Sequence, residues 1–154
     1  MLTAKGVKPI CNFQQVYKNT YLFGAFSPIN GNHFLYELNS CDADTFQCFL
    51  NQFSAYEPEE YKIIVLDNGA FHKAKSLQIP DNIFLLFLPP YAPELNPAEK
   101  MWQGIKRQFS NQFYKTLEEI SSFFTNVAGG LTKSLVKSTC AYNYIFVDID
   151  WTII

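Results

Sequence analysis

The sequence predicts an α/β domain built on a mixed sheet flanked by helices. Three observations predict it: two aromatic-rich runs joined by an Asn-Gly turn, two nearly continuous aliphatic runs of strand length, and apolar residues at helical spacing between and after them. The 154 residues suit one domain with a real core and are short for two, and no repeat, linker or low-complexity stretch divides 1–154.

Tyr21 to Phe26 and His33 to Leu38 flank Ser27-Pro28-Ile29-Asn30-Gly31-Asn32, whose proline and Asn-Gly step suit a hairpin between antiparallel strands. Asp42-Ala43-Asp44 then supplies candidate caps for a helix of about three turns. Phe46, Phe49, Leu50 and Phe53 recur on one face of it at i, i+3, i+4 and i+7. Tyr61 to Leu66 is an Ile-Ile-Val-Leu run of the kind that fills a strand buried on both faces of a parallel sheet. A short helix over Phe71 to Leu77, a turn at Pro80-Asp81-Asn82 and a second apolar strand, Ile83 to Leu88, complete a strand-helix-strand crossover. After a proline-rich stretch, a helix opens at Asn96-Pro97 and carries Ala98, Trp102, Ile105, Phe109 and Phe113 on one face. A last helix covers Leu117 to Val127 and ends near Gly129-Gly130.

Composition excludes several classes of function. With 48% hydrophobic residues and 15 Phe the chain is not disordered. Its net charge of −2 gives no overall basic footprint for nucleic acid. Cys11, Cys41, Cys48 and Cys140 form no C-x-x-C pair and only His33 and His72 accompany them, so no zinc site of ordinary spacing is expected; buried free thiols are. Met1 to Pro9 carries no apolar core segment, so no secretory signal is expected there, and the apolar run Tyr142 to Ile154 is broken by Asp148 and Asp150 and is too short to cross a bilayer. A soluble protein with no membrane partner is expected.

Two carboxylates stand where chemistry is done. Asp67 ends a buried strand, the place at which α/β sheets put ligand-binding residues. Asp-Asn-Gly is equally a tight turn in which the Asp side chain takes backbone amides. Glu99 follows Asn96 by three residues with Pro97 between them, which matches a capping arrangement in which Glu reaches back to the cap amide. Asn caps without help, however, which leaves Glu99 freer than in a full capping box. His72 reads as a surface histidine on a short helix or as a companion of Asp67.

The segment Val65-Leu66-Asp67-Asn68-Gly69-Ala70-Phe71-His72-Lys73 is followed by Phe87-Leu88-Pro89-Pro90-Tyr91-Ala92-Pro93-Glu94-Leu95-Asn96-Pro97-Ala98-Glu99. This double motif resembles the DDE superfamily transposases, specifically the mariner-like group and its bacterial insertion-sequence relatives. Ala92 stands where Ser is more usual, and a weaker likeness runs from Lys5-Gly6 to Tyr144-Ile145. The resemblance implies a ribonuclease H-like fold, and it implies that Asp67 and Glu99 are the second and third catalytic carboxylates and metal ligands, with His72 as an auxiliary residue. Glu94 is the rival for Glu99, but it sits in the turn rather than on the helix.

By that resemblance the activity is metal-dependent DNA strand cleavage and strand transfer with Mg2+ or Mn2+, acting on element ends and target DNA. Hard oxygen ligands suit such ions, and a pair of them stabilises both oxygens of an in-line displacement. The likeness begins past the family's first Asp, and no acidic residue occurs from Met1 to Tyr36. The chain is therefore expected to be inactive alone and to lack the central strand that carries that Asp. Ile10 to Val16 is expected either to shift into the gap or to leave the fold marginally stable. As stand-ins, Asp42 and Asp44 read as helix caps, Glu37 as the end of a hairpin strand, and Asp148 and Asp150 as an exposed strand face.

Between Lys100 and Lys115 lie four basic residues and no acidic ones, and Lys106 is two helical turns from Glu99 on the same side. Lys100, Lys106 and Arg107 are thus candidates for phosphate contact, against the alternative of an ordinary solvated helix face. No N-terminal helix-turn-helix is expected within the 154 residues. A homodimer or a longer complementing transposase product is an expected partner, in a cytoplasmic, nucleoid-associated setting. The competing readings are a non-catalytic remnant or domesticated DNA- or protein-binding domain, and a small-ligand α/β domain.

Overall fold

Two aromatic runs pair as expected in the computed structural model, which describes residues 19–90, 95–110, 112–142 and 145. Strands β1 (Tyr21–Phe26) and β2 (His33–Leu38) are antiparallel, with Phe23 opposite Tyr36. The turn closes through Ser27 N–H donating to Asn32 O at 2.8 Å and Gly31 N–H donating to Ser27 O at 3.0 Å. Gly31 has φ +77°, and a Cβ there would overlap the Lys133 backbone carbonyl, so both conformation and space require glycine.

Helix α1 (Ala43–Ala55) begins with a reciprocal cap. Thr45 N–H donates to Asp42 Oδ1 at 2.9 Å and Asp42 N–H donates to Thr45 Oγ1 at 3.0 Å. Its Phe46, Phe49 and Leu50 are buried, and they join Ile64 and Ile83 in one core with Phe23, Phe34 and Leu85 packed around them. Strands β3 (Lys62–Leu66) and β4 (Ile83–Phe87) are parallel, with Ile64 opposite Leu85. Among the described residues β1–β2 and β3–β4 are separate two-stranded sheets that share the α1 layer, rather than one continuous mixed sheet. Ile10 to Val16 lies outside the described residues.

The aliphatic runs of β3 and β4 are not buried on both faces. Ile63 and Val65 are 64% and 40% exposed, and their partners across the pair, Phe84 and Leu86, are 51% and 48% exposed. One face meets α1. The helices that follow are engaged elsewhere, since Trp102 packs edge-on against Phe26 of β1 at 5.4 Å between ring centroids.

The short helix after β3 is a single 3-10 turn, Ala70–Lys73, rather than Phe71 to Leu77. Beyond it the backbone of Gln78 is held by α1, with Gln78 N–H donating to Gln47 Oε1 at 2.7 Å and Gln47 Nε2 donating to Gln78 O at 2.8 Å. Those tertiary bonds replace helical ones.

Helix α2 (Ala98–Phe109) buries Met101 and Ile105. Phe113, assigned to its apolar face by spacing, lies past its end and is 56% exposed. Helix α3 (Leu117–Gly130) starts at its Thr116 cap and continues through Gly129-Gly130 instead of stopping there. A further helix, α4 (Lys133–Cys140), follows the Thr132 cap and buries Val136 and Cys140 against Met101 of α2. Of the expected buried thiols, Cys140 is buried, Cys48 is half-buried and Cys41 is exposed. No helix among the described residues is long and apolar enough to cross a membrane.

Candidate functional site

Asp67 follows the last residue of β3, and the ends of the two parallel strands are clasped together beside it. Leu88 N–H donates to Leu66 O at 2.8 Å, and Asn68 Nδ2 donates to Leu88 O at 2.5 Å. Gly69 N–H donates to Asp67 Oδ1 at 3.0 Å, so the Asp-Asn-Gly turn reading is realised. It uses only one carboxylate oxygen. Among the described residues Oδ2 of Asp67 makes no hydrogen bond.

His72 stands over the same oxygen. Its Nδ1 lies 2.9 Å from Asp67 Oδ1, an ion-pair distance without hydrogen-bond alignment. Its ring centroid is 4.7 Å from that of Phe46, a buried residue of α1. The Asp67 side chain is 56% exposed and that of His72 14%, so a solvent-facing carboxylate rests on a largely covered imidazole. A Cβ on Gly69 would stand 3.2 Å from both Asp67 Oδ1 and His72 Nδ1, so the turn residue closes over the pair. The motif spacing brings His72 near Asp67, whereas the α1 ring that seats it and the Asn68 clasp arise from contacts that no local sequence signal carries.

Glu99 occupies the first turn of α2. Asn96 performs the capping, with its Oδ1 accepting from Ala98 N–H at 3.0 Å and its carbonyl accepting from Glu99 N–H at 3.1 Å. The half-buried Glu99 side chain makes no hydrogen bond or ion pair among the described residues, so it is not spent on the cap. Glu94 lies outside the described residues.

No hydrogen bond or ion pair joins Asp67 to Glu99, and the described residues hold no group of three or more His, Cys, Asp or Glu arranged as a metal site. What they do offer is an unbonded oxygen on Asp67 and an uncommitted carboxylate on Glu99. Magnesium is commonly held by one or two carboxylates together with water and substrate phosphates, so this donor set fits part of its shell.

The remaining acids have structural partners or lie elsewhere. Glu37 Oε1 accepts from Thr20 Oγ1 at 2.6 Å and from Ser121 Oγ at 2.9 Å, tying β2 to α3. Asp42 caps α1, where the Thr45 amide, foremost, and the Ser40 hydroxyl hold its carboxyl below the usual range. Asp44 is exposed in the first turn of α1, and Asp148 and Asp150 lie outside the described residues. On α2, Lys106 and Arg107 are exposed in the last turn, whereas Lys100 lies over the Tyr142 ring at 4.4 Å. Burial pushes the Cys140 thiol up, opposed by the Lys100 charge.

Residues 2–121 match the DDE superfamily endonuclease family. An uncharacterized protein of Sinorhizobium fredii, y4pE/y4sA, is 35% identical over 102 residues, a stretch covering 65% of this chain and 76% of that protein. No solved structure matches the chain. Asp67 and Glu99 both fall inside the matched region, and the chain belongs to the DDE superfamily endonuclease family.

Proposed function

We propose that the chain is part of the catalytic domain of a transposase-type DNA endonuclease, of the mariner-like and insertion-sequence group, in which Asp67 and Glu99 are metal ligands. The observation that carries this reading is the pairing, inside the family match, of a strand-end Asp67 with one unbonded oxygen and a Glu99 that α2 does not use for its cap. A bound Mg2+ or Mn2+ supplies charge stabilisation to the attacking and leaving oxygens of a phosphodiester displacement. Gly69 holds Asp67 by Oδ1, which leaves Oδ2 for the ion, and Glu99 offers its carboxylate from the first turn of α2. Lys106 and Arg107, exposed on the same helix, meet the DNA phosphates with Lys100, and water or a DNA 3′ hydroxyl attacks the phosphorus, losing its proton as the bond to the leaving 3′ oxygen breaks and that oxygen takes up a proton.

Two carboxylates are too few to hold two ions against their hydration, and Met1 to Tyr36 holds no acidic residue. The separation of the two sheets among the described residues is compatible with a further strand between them, and an acidic residue on that strand completes the set. It reaches the site from upstream sequence or from a longer complementing product, in the manner of a homodimer or mixed assembly on nucleoid DNA. The experiment is a nicking assay on DNA carrying terminal repeats, with Mg2+ or Mn2+. The chain alone is expected to leave the DNA intact. Cleavage is expected when a polypeptide carrying the acidic strand is added, and Asp67→Asn is expected to remove it. Metal-dependent nicking by the chain alone contradicts the reading. The lack of an acidic residue from Met1 to Tyr36 also supports a second reading, a non-catalytic remnant. An upstream reading frame without an Asp-bearing strand would establish it.

A further inference from the structure

We propose that His72 is a positioning residue for Asp67, fixing Oδ1 so that the carboxylate offers a divalent cation Oδ2 alone, as a monodentate ligand. The inference rests on the reading of Asp67 as a metal ligand and adds which oxygen binds and what holds it.

Oδ1 already faces two groups, the Gly69 amide at 3.0 Å and His72 Nδ1 at 2.9 Å, while Oδ2 has no hydrogen bond among the described residues. His72 Nδ1 and the Gly69 amide thus crowd the same oxygen, which leaves Oδ2 as the side of the carboxylate that neither group touches. The imidazole cannot swing away freely, because its ring lies 4.7 Å from that of Phe46, which is 2% exposed in the α1 core. Gly69 closes the remaining side, since even a Cβ there would come within 3.2 Å of both groups. An exposed Asp at a strand end would otherwise rotate among rotamers, and a ligand held in one of them binds with less ordering cost. The line Phe46, His72, Asp67 Oδ1 thus transmits the rigidity of the core to a carboxylate that is itself 56% exposed. Groups that orient a ligating carboxylate commonly change metal affinity by about 10- to 100-fold when removed.

The test is a calorimetric Mn2+ titration of the full chain and of four variants, with thermal melts alongside. His72→Ala is expected to weaken binding by about 10- to 100-fold. His72→Asn, whose amide nitrogen falls near the Nδ1 position, is expected to recover most of that loss. His72→Gln, which fills similar volume but carries its nitrogen further out, is not. Asp67→Asn is expected to abolish the site. If His72→Ala binds Mn2+ as tightly as the wild type while Asp67→Asn does not, the positioning role is wrong and the metal-site reading stands. If Asp67→Asn binds as well as the wild type, the metal-site reading fails and the inference with it. Should His72→Ala not fold, the Asn and Gln variants decide, and equal recovery by both reduces His72 to a space-filler and overturns the proposal.

Discussion

Trp102 of α2 lies so close to Gly24 of β1 that a Cβ on the glycine would stand 2.9 Å from the indole and 2.7 Å from Leu35 Cδ2. This contact seats the helix that carries Glu99 against the hairpin, so a backbone detail in β1 governs the place of a carboxylate more than 70 residues away in sequence.

Gly24→Val is accordingly expected to destabilise the fold by about 1–3 kcal/mol through overpacking. Gly104, on the open side of α2 where a Cβ meets nothing within 4 Å, is the control, and Gly104→Ala is expected to add up to about 1 kcal/mol through helix propensity. Denaturant melts of both variants check the pair.

The two faces of β3 predict opposite sensitivities. Ile64, 9% exposed and packed in the α1 core, is expected to cost about 2–5 kcal/mol on truncation to Ala. Ile63, one residue earlier and 64% exposed, is expected to change stability by less than about 0.5 kcal/mol on replacement by Thr. Equal losses in equilibrium denaturation would show that the outer face is covered.

The cap of α1 has a pH signature. The Thr45 amide, then the Ser40 hydroxyl, lowers the Asp42 carboxyl below its unfolded value, so the cap stabilises above that unfolded value and fades as pH falls through the lowered folded value. Asp42→Ala is expected to lower the Tm at neutral pH, with the gap to wild type narrowing below about pH 4. A gap that stays constant down to acid pH would assign the effect to something other than the ionised carboxylate.

Local signals were legible wherever one segment decides its own structure. The Asn30-Gly31 step gave the hairpin, Asp42 gave the start of α1, and the spacing of Phe46, Phe49 and Leu50 gave its buried face. Signals failed where distant contacts decide. Gln47 and Gln78 trade backbone-capping bonds across 31 residues, which shortened the predicted helix after His72. The alternating burial of β3 and β4 could not be read from aliphatic runs, because whether a face is covered depends on where α2 packs. α4 went unseen because Leu135, Val136 and Cys140 form a short apolar pattern, and the Thr132 cap signals only its start. At the site, Asp67 and Glu99 were visible from their motifs, whereas the seat of His72 on Phe46 needs the fold that brings α1 beneath it.

If Asp67 and Glu99 serve one cation, a Mn2+ titration followed by amide NMR reads both ligands at once. Signals around Asp67 to His72 and around Ala98 to Lys100 are expected to broaden together at the same Mn2+ concentration, and either Asp67→Asn or Glu99→Gln is expected to suppress broadening at both. Broadening confined to one of the two segments, or unchanged in both variants, would contradict it.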